Sequence, residues 1–155
     1  MIRNARPGDL DTIAALHTRA RATYYRGRIP QEEYGGEAEL ARGREAWARA
    51  IERTEGGVLC AERDGAVAGV AAFRPVDGVM TLTQLHVDPG HWRHGIGAAL
   101  HAACLDAWRE RGADRVRLEV YEHNLRAQAF YAAQGWQPDA GHRAGSHLVL
   151  WLEVV

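Results

Sequence analysis

The stretch "LHVDPGHWRHGIGAAL", residues 85–100, joins a β-rich segment to a helix-forming segment through a polar loop that contains two glycines. A strand that runs through such a loop into a helix presents unpaired backbone N–H groups and the positive end of the helix dipole. Gly95 and Gly97 let a ligand approach that backbone, and Arg93 and His94 add positive charge and donors. The stretch therefore favours binding of a phosphate or pyrophosphate group. The glycines alone also fit a simpler interpretation, a tight turn followed by close helix packing.

Two familiar phosphate-binding motifs do not fit this stretch. It lacks the Gly-Lys-Ser/Thr ending of a P-loop. It also lacks the first glycine of the Rossmann dinucleotide fingerprint, and it follows the third β-rich run of a series rather than opening a strand–helix–strand unit. A nucleotide-binding Rossmann protein is therefore the less favoured alternative.

The composition argues against several classes of protein. The 155 residues carry a formal charge of −1, which gives no reason to expect a nucleic acid or an anionic membrane as partner. All nineteen basic residues are arginines, so no lysine is present. Cys60 and Cys104 lie in apolar contexts and are predicted to be small core residues in a reducing compartment. With no apolar leader and no membrane-spanning run, the sequence predicts a cytoplasmic protein.

Hydrophobic periodicity predicts the elements that position the glycine loop. Their order, β-α-α-β-β-β-α-β-α-β-β, indicates one mixed α/β domain over residues 1–155, with helices beside a largely antiparallel sheet. Asp9 is placed to cap the first helix, and an Asp-Gly pair at 64–65 predicts a hairpin. The predicted β-segments are a short start at 2–6, a hairpin over 58–75, a third run at 77–87, a strand within 115–124, a late hairpin around 138–148 and a terminal strand at 147–155. The predicted helices run over 10–21, 37–54 and 97–111 and between Asn124 and Gly135.

Two longer patterns resemble a known family. "LHVDPGHWRHGIGAAL" resembles the acyl-CoA-binding motif of the Gcn5-related N-acetyltransferase (GNAT) superfamily, in which a strand ends V-x-P and R/Q-x-x-G-x-G/A begins a helix. "LEVYEHNLRAQAFYAAQGW", residues 118–136, resembles the second motif of that family, L-x-V-x-x-x-N-x-x-A-x-x-F-Y-x-x-x-G-F. The resemblance spans residues 58–138. It implies the GNAT fold, a mixed, mostly antiparallel sheet of six or seven strands with about four helices and a splayed central strand pair.

The resemblance implies acetyl-CoA as a co-substrate and suggests its contacts. The backbone of Leu85 and Val87 would lie along the pantetheine arm, where an amide would polarise the thioester carbonyl. Trp92 stands where the motif has Arg or Gln, so backbone amides are expected to do more of the pyrophosphate binding while Trp92 serves packing. Asn124 aligns with an asparagine that bonds the pantetheine region, a role compatible with capping a helix. The implied cofactor contacts are Leu85, His86, Val87, Arg93, His94, Gly95, Ile96, Gly97, Ala98, Asn124 and Tyr131.

The resemblance implies transfer of an acyl group to an amine, and direct attack is favoured over a covalent enzyme intermediate because neither cysteine lies beside the motifs. Tyr131 would donate a proton to the departing thiolate, because a phenol is protonated at neutral pH. Glu119, twelve residues earlier, would accept the proton of the amine, and this spacing looks like the base–acid pair of ribosomal-protein N-terminal acetyltransferases. The structural alternatives are a half-buried core Tyr131 and a solvated Glu119 beside Arg115 and Arg117. Two side chains of the preceding strand are further candidates for the base: Gln84 and His86.

The acceptor is expected to be a primary amine of a small molecule or peptide, and the sequence does not identify it. By the resemblance, the first two helices, their loop and the late hairpin build the wall opposite the cofactor. Side chains that are candidates for binding the acceptor are Tyr24, Tyr25, Glu32, Glu33, Tyr34 and Gln84. A non-catalytic acyl-CoA-binding or sensing module is the alternative function. The eight histidines show no zinc-ligand spacing, so no metal is expected, and a homodimer through the terminal strands is consistent with the family.

Overall fold

The computed structural model describes residues 1–154, where the predicted order of elements is observed with one addition, a single helical turn called α2. The strands are β1 (Ile2–Asn4), β2 (Gly57–Arg63), β3 (Ala66–Val76), β4 (Val79–Val87), β5 (Arg115–Tyr121), β6 (Gln137–Ala144) and β7 (His147–Glu153). The helices are α1 (Leu10–Tyr25), α2 (Glu32–Gly35), α3 (Glu37–Glu52), α4 (Ile96–Glu110) and α5 (Leu125–Ala133). Val155, the predicted end of the last strand, lies outside the described residues. Within residues 1–154, no helix combines the length and the apolar character needed to cross a membrane.

The sheet opens between β4 and β5. Its strand order is β1-β2-β3-β4-β5-β7-β6, and all neighbours are antiparallel except β4 and β5. These two strands run parallel, and in the described part of the chain their register pairs Thr81 with Arg117 and no other residues. The rest of β4, up to Val87, therefore has a neighbour on one side only. The predicted mixed, mostly antiparallel sheet with a splayed central pair is confirmed.

Helices cover both faces of the sheet. On one face α4 packs Leu100 and Trp108 against the strands, and on the other α1 and α3 contribute Leu16 and Trp47. Because β3 is covered on both sides, its residues 70–73 are all buried, as is typical of a central strand between two helical layers. This two-sided packing holds β4 and the start of α4 in fixed positions.

Gly69 on β3 allows α4 to lie close to the sheet. A Cβ atom at this position would lie 2.9 Å from side-chain carbons of both Ile96 and Leu100. That separation is well below van der Waals contact, so a side chain here would push the first turns of α4 outwards. The glycine thus determines how near the beginning of α4 lies to the end of β4.

The two cysteines are unpaired core residues, as predicted. Cys60 and Cys104 are both buried, one in each hydrophobic cluster. Burial raises the pKa of the Cys60 thiol to about 11 and that of Cys104 to about 12. Both side chains are therefore neutral thiols at physiological pH and poor nucleophiles.

Asp9 has a different role from the predicted one. Its carboxylate does not cap α1; instead it accepts a hydrogen bond from the backbone N–H of Arg6 at 2.7 Å. It also forms two hydrogen bonds with the guanidinium of Arg3, at 2.8 and 2.9 Å, and Arg3 bonds Glu62 on β2. The carboxylate therefore ties β1 to the turn that leads into α1. The hydrogen bonds from Arg3, followed by that from Arg6, lower the pKa of Asp9 to about 2.

We expect Asp9→Asn to reduce the free energy of unfolding by about 2 kcal/mol at pH 7. The pKa of Asp9 is lower in the folded chain than in the unfolded chain, so its contribution is complete above about pH 4. It is then lost as the pH falls towards 2. Urea unfolding of both proteins at several pH values measures the difference. Asp11→Asn is the matched control, because that carboxylate is 82% exposed while Asp9 is 15% exposed. Equal effects of the two substitutions would contradict the prediction.

Candidate active site

Two cavities meet where β4 and β5 diverge. The first, of about 430 Å³, lies against the glycine loop and the beginning of α4, and we call it the glycine-loop cavity. The second, of about 690 Å³, lies between the sheet and α1 and α3, and we call it the α3 cavity. The residues that line both cavities are Tyr24, Leu85, His86, Asn124, Ala127 and Tyr131. A ligand in one cavity can thus reach a ligand in the other at these side chains.

The glycine loop presents the amino end of α4 to the first cavity. After β4 the chain makes a 3₁₀ turn at Pro89–His91, and then reaches Gly95, whose φ of +75° is strained for other residues. The helix starts at Ile96, so the amides of its first turn have no partner within the helix. An anion in the glycine-loop cavity is therefore favoured both by these N–H groups and by the helix dipole.

The two glycines of the loop serve different purposes. Gly95 is required by the left-handed backbone, and an added Cβ there would meet nothing within 4 Å. Gly97 lies inside the helix, where an added Cβ would lie 3.5 Å from Phe130 and 3.7 Å from Val87. These two neighbours both line the glycine-loop cavity, so a side chain at Gly97 would fill space within it. The tight turn therefore requires glycine at Gly95 only, whereas the absence of a side chain at Gly97 leaves space in the cavity.

The structure brings together the predicted cofactor residues with one exception. Those that line the glycine-loop cavity are Leu85, His86, Val87, Arg93, Gly95, Ile96, Gly97, Ala98, Asn124 and Tyr131. His94 is outside this set; its side chain is exposed and its ring lies 6.4 Å from that of His91. The side chain of Asn124 accepts a hydrogen bond from the Ala127 amide at 3.2 Å, so it also caps α5.

The cavity has further lining residues that sequence reasoning did not single out. Ala20 and Thr23 come from α1, and Arg126 comes from the first turn of α5. Trp92, predicted to serve packing, donates its indole N–H to the carbonyl oxygen of Val87 at 3.2 Å. The guanidinium carbon of Arg126 lies 3.7 Å from the centre of an indole ring of Trp92. A positive charge therefore lies beside the residue that replaces the Arg or Gln of the motif.

Tyr131 lies at the junction of the two cavities. Its side chain is 7% exposed, and burial, followed by the neighbouring Tyr24 phenol, raises its pKa above the ordinary value near 10. Burial raises the pKa of Tyr24 as well. Both phenols consequently keep their protons through the ordinary titration range of a phenol. They can donate hydrogen bonds or a proton to a group placed where the cavities meet.

Glu119 faces the α3 cavity from β5. Its carboxylate is 41% exposed and accepts a hydrogen bond from Arg117 at 3.1 Å. Tyr131 lines the same cavity, so the predicted base and the predicted acid share one space. Alternation along β5 predicts one face of Val116, Leu118 and Val120 and an opposite face that includes Glu119 and Tyr121. The first three are buried and Glu119 is exposed, but Tyr121 is buried as well.

The wall of the α3 cavity differs in part from the predicted wall. Tyr24, Tyr25 and Gln84 line it, as predicted. Among the described residues that line either cavity, Glu32, Glu33 and Tyr34 are absent: Glu33 is exposed to solvent, and Tyr34 is buried behind Tyr25, with ring centres 5.9 Å apart. Charged side chains of α3 take the place of that loop: Glu39, Arg42, Glu45 and Arg49.

Two neutral histidines form part of the inner wall of the α3 cavity. The rings of His17 and His86 contact each other in a tilted arrangement, with centres 4.5 Å apart. His86 Nε2 lies 2.6 Å from the side-chain oxygen of Gln84, and Trp47 donates its indole N–H to His17 Nδ1 at 3.0 Å. Burial lowers the pKa of His17 to about 4 and lowers that of His86 well below its ordinary value. Within residues 1–154, no three His, Cys, Asp or Glu side chains are grouped so as to hold a metal ion.

A comparison with protein families decides the classification of this fold and cleft. A family model described as "Acetyltransferase (GNAT) family" matches residues 14–136. The chain belongs to the GNAT acetyltransferase family. This confirms the resemblance seen in the glycine loop and in the Asn124–Tyr131 motif.

Individual relatives of this GNAT chain include proteins of known and unknown specificity. It is 48% identical over 58 residues to a mycothiol acetyltransferase of Beutenbergia cavernae. This match covers 37% of this chain and 20% of that protein. It is 37% identical over 93 residues to an uncharacterised N-acetyltransferase of Mycobacterium tuberculosis, covering 58% of this chain and 60% of that protein. The matches thus span less than two thirds of either relative.

A solved structure supports the fold over nearly the whole chain. PaiA N-acetyltransferase from Thermoplasma acidophilum, determined in complex with coenzyme A, aligns with a TM-score of 0.78 at 19% identity. The alignment covers 99% of this chain and 98% of that one. The GNAT fold therefore extends beyond the segment that the family model matches.

Proposed function

We propose that this protein transfers an acetyl group from acetyl-CoA to a primary amine of a small molecule or a peptide. The observation that carries the proposal is the meeting of the two cavities at Tyr131. One cavity ends at the amino end of a helix and suits the phosphates of a coenzyme. The other is lined by aromatic rings, by three carboxylates and by three arginines, a mixed polar wall that can take a polar amine. The junction is where a thioester and an amine would meet.

The donor would lie along the free side of β4. Beyond Thr81 that strand has no partner on the β5 side in the described part of the chain, so its backbone is available to the amide groups of a pantetheine arm. Leu85 and Val87 line the glycine-loop cavity from this segment. A backbone N–H there would polarise the thioester carbonyl and stabilise the oxyanion that forms during transfer.

The transfer would be direct, through a complex that holds both substrates. Glu119, acting directly or through a water molecule, removes a proton from the ammonium, and the neutral amine attacks the thioester carbon. Attack forms the C–N bond and leaves a second proton on the nitrogen, which is lost to solvent as the tetrahedral intermediate collapses. The C–S bond breaks, Tyr131 donates its proton to the departing sulfur, and solvent returns a proton to the tyrosinate. Cys60 and Cys104 are absent from the described linings of both cavities, so neither is placed to carry the acyl group.

His86, the histidine at the junction, is less suited to act as the base. His86 lines both cavities, but its pKa is well below the ordinary value because the imidazole is buried. A protonated His86 is thus strongly disfavoured, and the ring is a weak proton acceptor. Glu119 is partly exposed and can pass a proton to solvent. The access of Glu119 to solvent therefore supports its assignment as the base.

Release of free thiol from acetyl-CoA in the presence of an amine panel tests the proposed function. The panel contains small cationic amines, aromatic amines, peptides with free N-termini and, because of the Beutenbergia relative, an amine related to mycothiol. We expect thiol release that depends on one class of amine and a product heavier than that amine by one acetyl group. Coenzyme A binding without turnover on any amine would contradict the proposal and favour a non-catalytic module.

We expect Glu119→Gln to lower kcat by about tenfold or more at pH 7 with little change in the KM for acetyl-CoA. The amide cannot accept the proton of the amine, whereas donor binding does not involve this side chain. Glu45→Gln is the matched control, since Glu45 is a carboxylate on the wall of the same cavity. That change removes only an attraction for cationic amines, so it should raise the KM for the amine and leave kcat alone. Equal kcat values for the wild type and Glu119→Gln would show that another group acts as the base.

A further inference from the structure

The glycine loop lacks the Arg or Gln side chain that begins its motif. Trp92 occupies that position and its indole carries no charge. Arg93 follows, but it has a left-handed φ of +68° and an exposed side chain, and no hydrogen bond or ion pair holds it within the described part of the chain. Among the residues that line the glycine-loop cavity, the other arginine is Arg126.

Arg126 is held in place by Trp92. The indole N–H bonds the Val87 carbonyl oxygen at 3.2 Å, which fixes the ring at the end of β4. The Arg126 guanidinium lies over that ring, 3.7 Å from its centre. Stacking of this kind uses the face of the guanidinium and leaves its N–H edge free to bond another group. An arginine from α5 thus provides a positive charge beside the helix mouth formed by residues 95–98.

We propose that Arg126, positioned by the indole of Trp92, binds the diphosphate of coenzyme A at the mouth of α4. The inference rests on the proposed function, because it takes coenzyme A as the ligand of this cavity. A guanidinium already stacked on a ring loses less freedom on binding than an unsupported side chain. It forms charge-assisted hydrogen bonds with phosphate oxygens and adds to the bonds from the helix amides. Trp92 is therefore a positioning residue, and Arg126 makes the contact.

Calorimetric titration of Arg126→Gln with coenzyme A and with dephospho-coenzyme A tests this assignment. We expect the Kd to rise by about tenfold for both ligands, because both contain the diphosphate. The matched control is Arg115→Gln. Arg115 also lies over an indole, 4.0 Å from the ring of Trp151, but it lines neither cavity. Its substitution should change the Kd by less than about twofold.

A double-mutant cycle tests the role of Trp92. Trp92→Leu alone should raise the Kd by about threefold, since Arg126 remains but is no longer held. In the Arg126→Gln background the same change should have no further effect, because there is no guanidinium left to position. Wild-type melting temperatures of Arg126→Gln and Arg115→Gln would show that both variants fold.

Three results would overturn the inference. The first is an Arg126→Gln Kd equal to that of Arg115→Gln. The second is a loss seen with coenzyme A but not with dephospho-coenzyme A, which would place Arg126 on the 3′-phosphate. The third is full additivity of Trp92→Leu and Arg126→Gln. Failure of the wild-type protein to bind coenzyme A would instead overturn the proposed function, so the two failures are distinguishable.

Discussion

Tyr131→Phe is expected to lower kcat by about 100-fold while leaving the affinity for coenzyme A nearly unchanged. Under the proposed mechanism the Tyr131 phenol gives a proton to the departing thiolate, and phenylalanine keeps the ring but removes that proton. Because the pKa of Tyr131 is raised, its acid form persists through the ordinary titration range of a phenol. The wild-type rate should therefore show no decline due to this group up to about pH 10. Steady-state kinetics with an identified amine and calorimetry with coenzyme A measure the two effects.

Two other tyrosines provide controls for this prediction. Tyr34 is buried to a similar degree, 6% exposed against 7% for Tyr131, but lies behind Tyr25 and outside the lining of both cavities. Tyr34→Phe should leave kcat within about twofold of the wild type. Tyr24 shares the junction with Tyr131, so Tyr24→Phe tests which phenol is the acid. A larger loss of kcat in Tyr24→Phe than in Tyr131→Phe would reverse the assignment.

Gly97→Ala is expected to change stability and affinity in opposite directions. Alanine in the first turn of α4 should raise the free energy of unfolding by about 0.5 kcal/mol, because it lowers the chain entropy lost on folding. The new methyl group meets Phe130 and Val87 at ordinary contact distances, so the fold accommodates it. It also enters the glycine-loop cavity, where it would displace the diphosphate from the helix amides. We expect the Kd for coenzyme A to rise by about 100-fold.

Urea unfolding and calorimetry on the same preparation measure both quantities for Gly97→Ala. Gly43→Ala is the matched control, because Gly43 lies in the middle of α3, outside the glycine-loop cavity, and an added Cβ there meets nothing within 4 Å. It should stabilise the protein by a similar or larger amount without weakening coenzyme A binding. An unchanged coenzyme A affinity in Gly97→Ala would show that this glycine serves only helix packing.

The parts of the fold that the sequence predicts are those set by local pattern. Alternation predicts the buried face of β5, helical spacing predicts the apolar side of α4, and Asp-Gly predicts the hairpin between β2 and β3. His101 is an exception, because it is buried in α4 and accepts a hydrogen bond from Trp136 at 2.9 Å. Its partner is 35 positions away, so periodicity along α4 contains no sign of it. Asp9 is a second exception, since its carboxylate accepts hydrogen bonds from the charged guanidinium of Arg3 and none from the amides of α1.

The candidate site was predictable where a single segment forms it. Most residues that line the glycine-loop cavity come from two continuous motifs, the glycine loop and the segment 124–131. The wall of the α3 cavity is different, because Glu39 and Glu45 reach it only through the angle at which α3 crosses α1 and the sheet. The same is true of the Arg126 stack on Trp92, which joins two motifs 34 positions apart in the sequence. Such contacts depend on tertiary geometry, which no local pattern contains.

The divergence of β4 and β5 affects how such a protein can evolve. Donor recognition along residues 85–87 would rely on main-chain groups, which all residues except proline share. Substitutions of these side chains would therefore be limited by packing in the hydrophobic cores and not by contact with the donor. The proposed acceptor wall, in the α3 cavity, includes side chains of α1, α3 and β5. Single substitutions in this wall would change the specificity for the amine without affecting donor binding in the glycine-loop cavity. Under the proposed function, the opening between β4 and β5 therefore lets the specificity for the amine change while binding of the acyl donor stays the same.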